Sequence, residues 1–123
     1  MARILVVDDS RFQRVALEAF LKQAGHETVL AENGAVGLAR VVSEQPDAIL
    51  VDLDMPVLDG FAFLEGLRDL QVEIPAAVIT GDSENGARER CSALGAADFL
   101  QKPITSEQLA RTLATLLPEA GAD

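Results

Sequence analysis

The stretch Ile4-Leu5-Val6-Val7-Asp8-Asp9-Ser10 decides how the rest of the chain is read. Its unbroken aliphatic run suits a strand covered on both faces, not one with a wet side. The run stops at two carboxylates, and Ser10 followed by Gln13 has the form of a capping box. Strand, acidic turn and helix start follow one another without a spacer, as in a βα unit. The pattern recurs, with strands expected at Ile4–Val7, Glu27–Ala31, Ala48–Val51, Ala76–Ile79 and Asp98–Gln101. The first, third and fourth are continuously apolar. Glu27-Thr28-Val29-Leu30 and Asp98-Phe99-Leu100-Gln101 mix polar with apolar residues, as sheet edges do. Helical segments separate the strands in units of roughly 20 to 30 residues, so the fold class is α/β, a parallel sheet wrapped by helices on both faces.

The helix signals agree. Phe12, Val15, Ala16, Ala19 and Phe20 form an apolar stripe that Gly25 stops. Gly34–Glu44 and Gly60–Asp69 read as helices, the second capped by Asp59. Ser83–Leu94 is the weakest, because Gly86 near its start costs about 1 kcal/mol relative to Ala. Thr105 and Gln108 make a second capping box, Ile104 and Leu109 a hydrophobic staple, and Leu109, Leu113, Leu116 and Leu117 a stripe before Pro118.

Composition sets the outer bounds. The chain has 123 residues, 10 Lys+Arg against 20 Asp+Glu, and a formal charge of −10. That length fits one domain, and 49% apolar residues can fill a core. With no Trp, no Tyr and 5 Phe, the core must be aliphatic. A lone Cys91 excludes an internal disulfide, and one Cys with one His26 excludes the usual zinc site. Neither a signal peptide nor a membrane span is visible, so a cytoplasmic chain is expected. A pI near 4.4 without a basic cluster would repel phosphate backbones, which argues against direct nucleic-acid binding.

The chemistry collects at the strand ends. The first strand ends in Asp8-Asp9, the third in Asp52, the fourth in Thr80, and the fifth runs into Lys102-Pro103. In a parallel sheet these ends share one edge, the edge where ligands bind in open α/β sheets. Three crowded carboxylates repel one another and call for a cation, and hard oxygen ligands favour Mg²⁺ or Mn²⁺. Lys102 and the Thr80 hydroxyl are placed to meet phosphoryl oxygens. Asp52 is left as a nucleophile, which reads as phosphoryl transfer onto a carboxylate.

Ile4-Leu5-Val6-Val7-Asp8-Asp9, Asp52-Leu53-Asp54-Met55-Pro56 with Asp59-Gly60, Thr80-Gly81 and Lys102-Pro103 together resemble the receiver domain of two-component response regulators. The motifs stand in order over about residues 3–117, leaving a short tail at 118–123 of a single domain spanning 1–123. The resemblance implies a flavodoxin-like sheet of strand order 2-1-3-4-5. It implies Asp52 as phosphoacceptor, Asp9 as a direct Mg²⁺ ligand, Asp8 assisting through water, and the Asp54 backbone carbonyl as a further ligand. Thr80 and Lys102 would contact the phosphoryl group, Phe99 would be the aromatic switch, and Lys102-Pro103 would be cis. The phosphodonor would be a sensor histidine kinase or a phosphotransfer protein, and the output a protein target on the face formed by 83–101 and the last helix. Asp54 and Asp82 stand where variation tunes hydrolysis.

Other readings are weighed against this one. Asp8-Asp9 alone could be an acidic pair at a helix N-terminus. Met55-Pro56 shapes a loop, His26 is a solvated turn residue, Cys91 packs on a helix, and Arg88, Glu89 and Arg90 form a wet helix face. Asp52-Leu53-Asp54 also resembles the nucleophile motif of haloacid-dehalogenase-like phosphatases, but Pro56 stands where a Thr is expected. A flavin binder would need a Ser/Thr/Gly-rich phosphate loop in place of Asp8-Asp9-Ser10. A receiver-like module that acts without phosphate is the remaining alternative.

Overall fold

A computed structural model describes residues 2–81 and 86–117. Aliphatic runs and capped helices alternate as β1 (Arg3–Val7), α1 (Arg11–Gln23), β2 (Glu27–Ala31), α2 (Gly34–Glu44), β3 (Ala48–Val51), α3 (Gly60–Asp69), β4 (Ala76–Thr80), α4 (Ala87–Ala93), β5 (Asp98–Gln101) and α5 (Ser106–Leu116). The strands form one sheet of order β2-β1-β3-β4-β5, every pairing parallel. The two mixed-polarity strands are the edges. β1 and β4 each extend one residue beyond the spans expected from sequence, to Arg3 and Thr80.

Side-chain alternation splits the central strands between two cores. Leu5, Val7, Ile49, Val51 and Val78 meet α2, α3 and α4 through Val41, Phe63, Leu64, Leu67, Ala87 and Cys91. Ile4, Val6, Leu50, Ala77 and Ile79 meet α1 and α5 through Leu17, Leu21, Leu109, Leu113 and Leu116. The sheet is thus covered on both faces, and the buried core is aliphatic as expected except for Phe63, an aromatic fully buried on α3.

Helix α1 departs from expectation. Its buried residues are Leu17 and Leu21, whereas Phe12 is 83% and Val15 52% exposed, and Ala16 and Ala19 face solvent as well. Only Phe20 of the expected stripe packs partly against the core. Two apolar stripes run along this helix, and the sheet buries the one carrying the leucines. The Ser10 cap also differs. Its hydroxyl accepts from the Gln13 amide at 3.2 Å, but its own amide donates to Asp8 Oδ1 at 2.9 Å and not to the Gln13 side chain. The Thr105–Gln108 box is complete, and Asp59 caps α3 by accepting from the Ala62 amide.

The expected helix Ser83–Leu94 is described only from Ala87 on. Gly86 lies before it as the N-cap with φ +83°, a left-handed conformation that favours glycine, so no glycine penalty falls inside the helix. Asp82, Ser83, Pro118 and the tail lie outside the described residues. Helix α5 ends at Leu116.

Candidate functional site

The parallel ladder carries three chain segments past the strand ends and holds them together there. Asp8 N–H donates to Ala31 O at 3.0 Å, Asp52 N–H to Val7 O at 2.9 Å, and Lys102 N–H to Thr80 O at 2.7 Å. Side chains from β1, β3 and β5 are thereby brought to one spot at the carboxyl edge. One carboxylate oxygen from each of Asp8, Asp9 and Asp52 lies within 4.8 Å of the others. Lys102 Nζ stands between two of them, 3.3 Å from Asp8 Oδ2 and 3.5 Å from Asp52 Oδ2. The Lys102–Pro103 peptide is cis.

Asp8 and Asp52 are buried, 2% and 6% exposed, while Asp9 and Asp54 are open to solvent. Burial sets the electrostatics. Desolvation raises the Asp52 pKa from 3.8 to about 6, the Lys102 ammonium pulls against it, and the Asp8 carboxylate adds to the rise. The Asp54 amide, 3.3 Å from Asp52 Oδ1, favours the ionised form. Asp52 is therefore a carboxylate at neutral pH, poorly hydrated and held close to one cation. A cluster of hard oxygens of this kind fits a small divalent ion, with Asp8, Asp9 and Asp52 as the side chains able to hold it.

Thr80 is fully buried at the end of β4, and Phe99 is half-buried on β5. The register pairs Val78 with Phe99 and Thr80 with Gln101, so Thr80 and Phe99 are diagonal neighbours on one sheet face. Asp8, Asp9, Asp52, Thr80 and Lys102 therefore lie at the carboxyl edge, with Phe99 one strand over from Thr80, and Asp82 falls outside the described residues.

Other side chains, near the site and away from it, carry no comparable sequence signal. Arg14 Nη1 donates to the Asp8 backbone carbonyl at 2.6 Å. The expected wet face of α4 is exposed, yet the Arg88 guanidinium lies 4.9 Å from the Phe99 ring centroid and that of Arg90 3.9 Å from Phe61. His26, expected to be solvated, is half-buried and its Nδ1 accepts from the Ala2 amide at 3.1 Å. Cys91 is fully buried, and desolvation raises its pKa. A groove of about 500 Å³ runs from Lys102 between α1 and the start of α5, lined by Ala16, Phe20, Pro103 and Ile104.

The family model of the response regulator receiver domain matches residues 4–114. The chain belongs to that family. This receiver domain is 38% identical over 119 residues to Protein PilH of Pseudomonas aeruginosa, covering 95% of this chain and 98% of that protein. It is 35% identical to the transcriptional regulatory protein PrrA of Mycobacterium tuberculosis, covering 98% of this chain and 52% of PrrA. The receiver domain thus spans about half of PrrA and nearly all of PilH. Among solved structures, the chemotaxis protein CheY4 of Vibrio cholerae superposes with a TM-score of 0.87 at 33% identity, covering 95% of this chain and 99% of that one. The family places the domain in two-component signalling. Among the described residues, no helix is long and apolar enough to cross a membrane.

Proposed function

We propose that this receiver domain accepts a phosphoryl group on Asp52 and uses it to change its protein-binding surface. The buried Asp52 carboxylate carries the reading, because it faces Lys102 and shares a pocket with Asp8 and Asp9. Receiver domains interact with histidine kinases or phosphotransfer proteins, and a phosphohistidine on such a partner is the proposed donor. An Asp52 oxygen attacks phosphorus and an O–P bond forms. The P–N bond breaks, and its electron pair leaves with the imidazole.

Partial desolvation sharpens the nucleophile without protonating it at neutral pH. Lys102, already between Asp8 and Asp52, meets the incoming phosphoryl oxygen, and the Thr80 hydroxyl donates to another. Mg²⁺, or Mn²⁺ in its place, held by Asp9, Asp52 and the Asp54 carbonyl with Asp8 assisting through water, would neutralise phosphoryl charge there. Once bound, the phosphoryl group favours the arrangement in which Thr80 moves toward it and Phe99 turns inward. That remodels the face built from α4, β5 and α5, where a downstream protein binds. In this reading the domain works in the cytoplasm, without direct contact to nucleic acid or membrane, and catalyses only its own phosphorylation and dephosphorylation.

Incubation with Mg²⁺ and acetyl phosphate, followed by intact mass, tests the proposal. One acid-stable, base-labile phosphoryl adduct is expected, absent from Asp52→Asn and absent with a chelator. An adduct that persists in Asp52→Asn would overturn the assignment. No adduct from acetyl phosphate or from a cognate kinase would turn the reading toward a phosphate-independent interaction module.

A further inference from the structure

Asp8 is held at every polar atom it has. Its amide donates to Ala31, its Oδ1 accepts from Ser10 N–H, its Oδ2 faces Lys102, and its carbonyl accepts from Arg14. Asp9 differs sharply, because it is exposed and its side chain has no hydrogen-bond or ion-pair partner among the described residues. What sets the point from which its side chain starts is the peptide unit shared with Asp8. That unit is planar and includes the Asp8 carbonyl, so whatever grips the carbonyl oxygen fixes the Asp9 nitrogen and Cα as well. The grip comes from α1. Arg14 N–H closes the first turn onto Ser10 O at 2.9 Å, and the same residue's guanidinium reaches back over that turn to the Asp8 oxygen at 2.6 Å. A charged donor at this distance makes a strong hydrogen bond.

We infer that Arg14 is a positioning residue that locks the Asp8–Asp9 peptide and thereby aims the Asp9 carboxylate into the pocket shared with Asp8 and Asp52. The inference rests on the proposed metal-dependent reading of that pocket. Two roles for Arg14 can be separated by sign. As a mere neighbouring cation it would repel a divalent ion, so its removal would tighten binding. As the lock on Asp9 it preorganises a ligand, so its removal weakens binding despite the lost repulsion.

The test uses the full chain, titrated with MgCl₂ by calorimetry as wild type, Arg14→Gln and Arg14→Lys. The order parameter of the Asp9 backbone amide, from NMR relaxation, is measured without metal. Arg14→Gln is expected to bind Mg²⁺ about tenfold more weakly, in line with the usual effect of losing a partner behind a metal ligand. Its Asp9 order parameter should fall, and Arg14→Lys, which keeps a charged donor, should recover most of both. Unchanged or tighter Mg²⁺ binding by Arg14→Gln would overturn the inference. So would a lower melting temperature with both readouts unmoved, which marks a structural arginine. If the wild type itself takes no Mg²⁺, the metal reading fails separately, and an unchanged Asp9 order parameter then overturns the lock as well.

Discussion

At Asp52, burial raises the carboxyl pKa from 3.8 to about 6, so the folded chain holds this proton more tightly than the unfolded chain does. The sign of the stability effect follows. Ionised Asp52 opposes folding above about pH 6, and the cost fades as the pH falls through 6 toward 4. Asp52→Asn should therefore stabilise the fold at pH 8 by on the order of 2 kcal/mol, a gain that shrinks toward pH 4, as chemical denaturation across pH would read. A second residue carries strain without chemistry. Val57, exposed in the loop after β3, has φ +72°, a left-handed conformation costly for a β-branched side chain. Val57→Gly should raise stability by about 1 kcal/mol in the same assay. Nothing in the sequence marks Val57 as left-handed. Asp8, Asp9 and Asp52 were legible because they close aliphatic runs, Lys102 because it stands before Pro103 at the end of a mixed strand, and strand ends meet in a parallel sheet. Arg14 was not, because its role depends on how far a side chain reaches back over a helix turn.

Elements were legible wherever pattern and cap agreed. Strand spans came within a residue at each end, since aliphatic runs bounded by polar residues leave little freedom of register. The face of α1 was misjudged because two apolar stripes compete along it, and only docking on the sheet selects Leu17 and Leu21. The losing stripe has a use under the proposed function. Phe12 and Val15 stand exposed on the helix that walls the groove leading to Lys102. A protein donor must approach this edge, so Phe12→Asp or Val15→Asp should slow phosphotransfer from a cognate donor about tenfold or more. Phosphorylation by acetyl phosphate should not change, and time courses with the two donors check the contrast. Helix α3 presses on the site from the other side. A Cβ at Gly60 would lie 2.5 Å from the Asp52 carbonyl oxygen and 2.7 Å from Leu53 Cα, both backbone atoms that cannot yield cheaply. Gly60→Ala should cost about 1–3 kcal/mol in thermal unfolding and slow phosphorylation by acetyl phosphate, as α3 is pushed off the end of β3.

For the whole molecule, a ligand that binds only the folded state adds stability by mass action. Under the proposed function, Mg²⁺ at about a hundred times its dissociation constant should add about 2.7 kcal/mol, on the order of 10 °C in melting temperature. Calorimetric scans with Mg²⁺ and with EDTA should show that gap, and a scan of Asp52→Asn should show much less of it. The double covering of the sheet was legible as a class from the alternation of runs and helices, its strand order only through the family resemblance, and the two separate cores follow from strands buried on both faces. The site is also spread along the chain, and the Lys102–Asp8 pair closes a separation of 94 residues. A ribosome delivers Asp8, Asp9 and Asp52 well before Lys102. Until β5 has been synthesised and seated, the acidic pocket lacks its ammonium partner. Under the proposed function, a half-made chain is deaf to its donor. Competence to receive a signal arrives only with completion of the sheet, so a misfolded or unfinished copy cannot report a stimulus that never reached it.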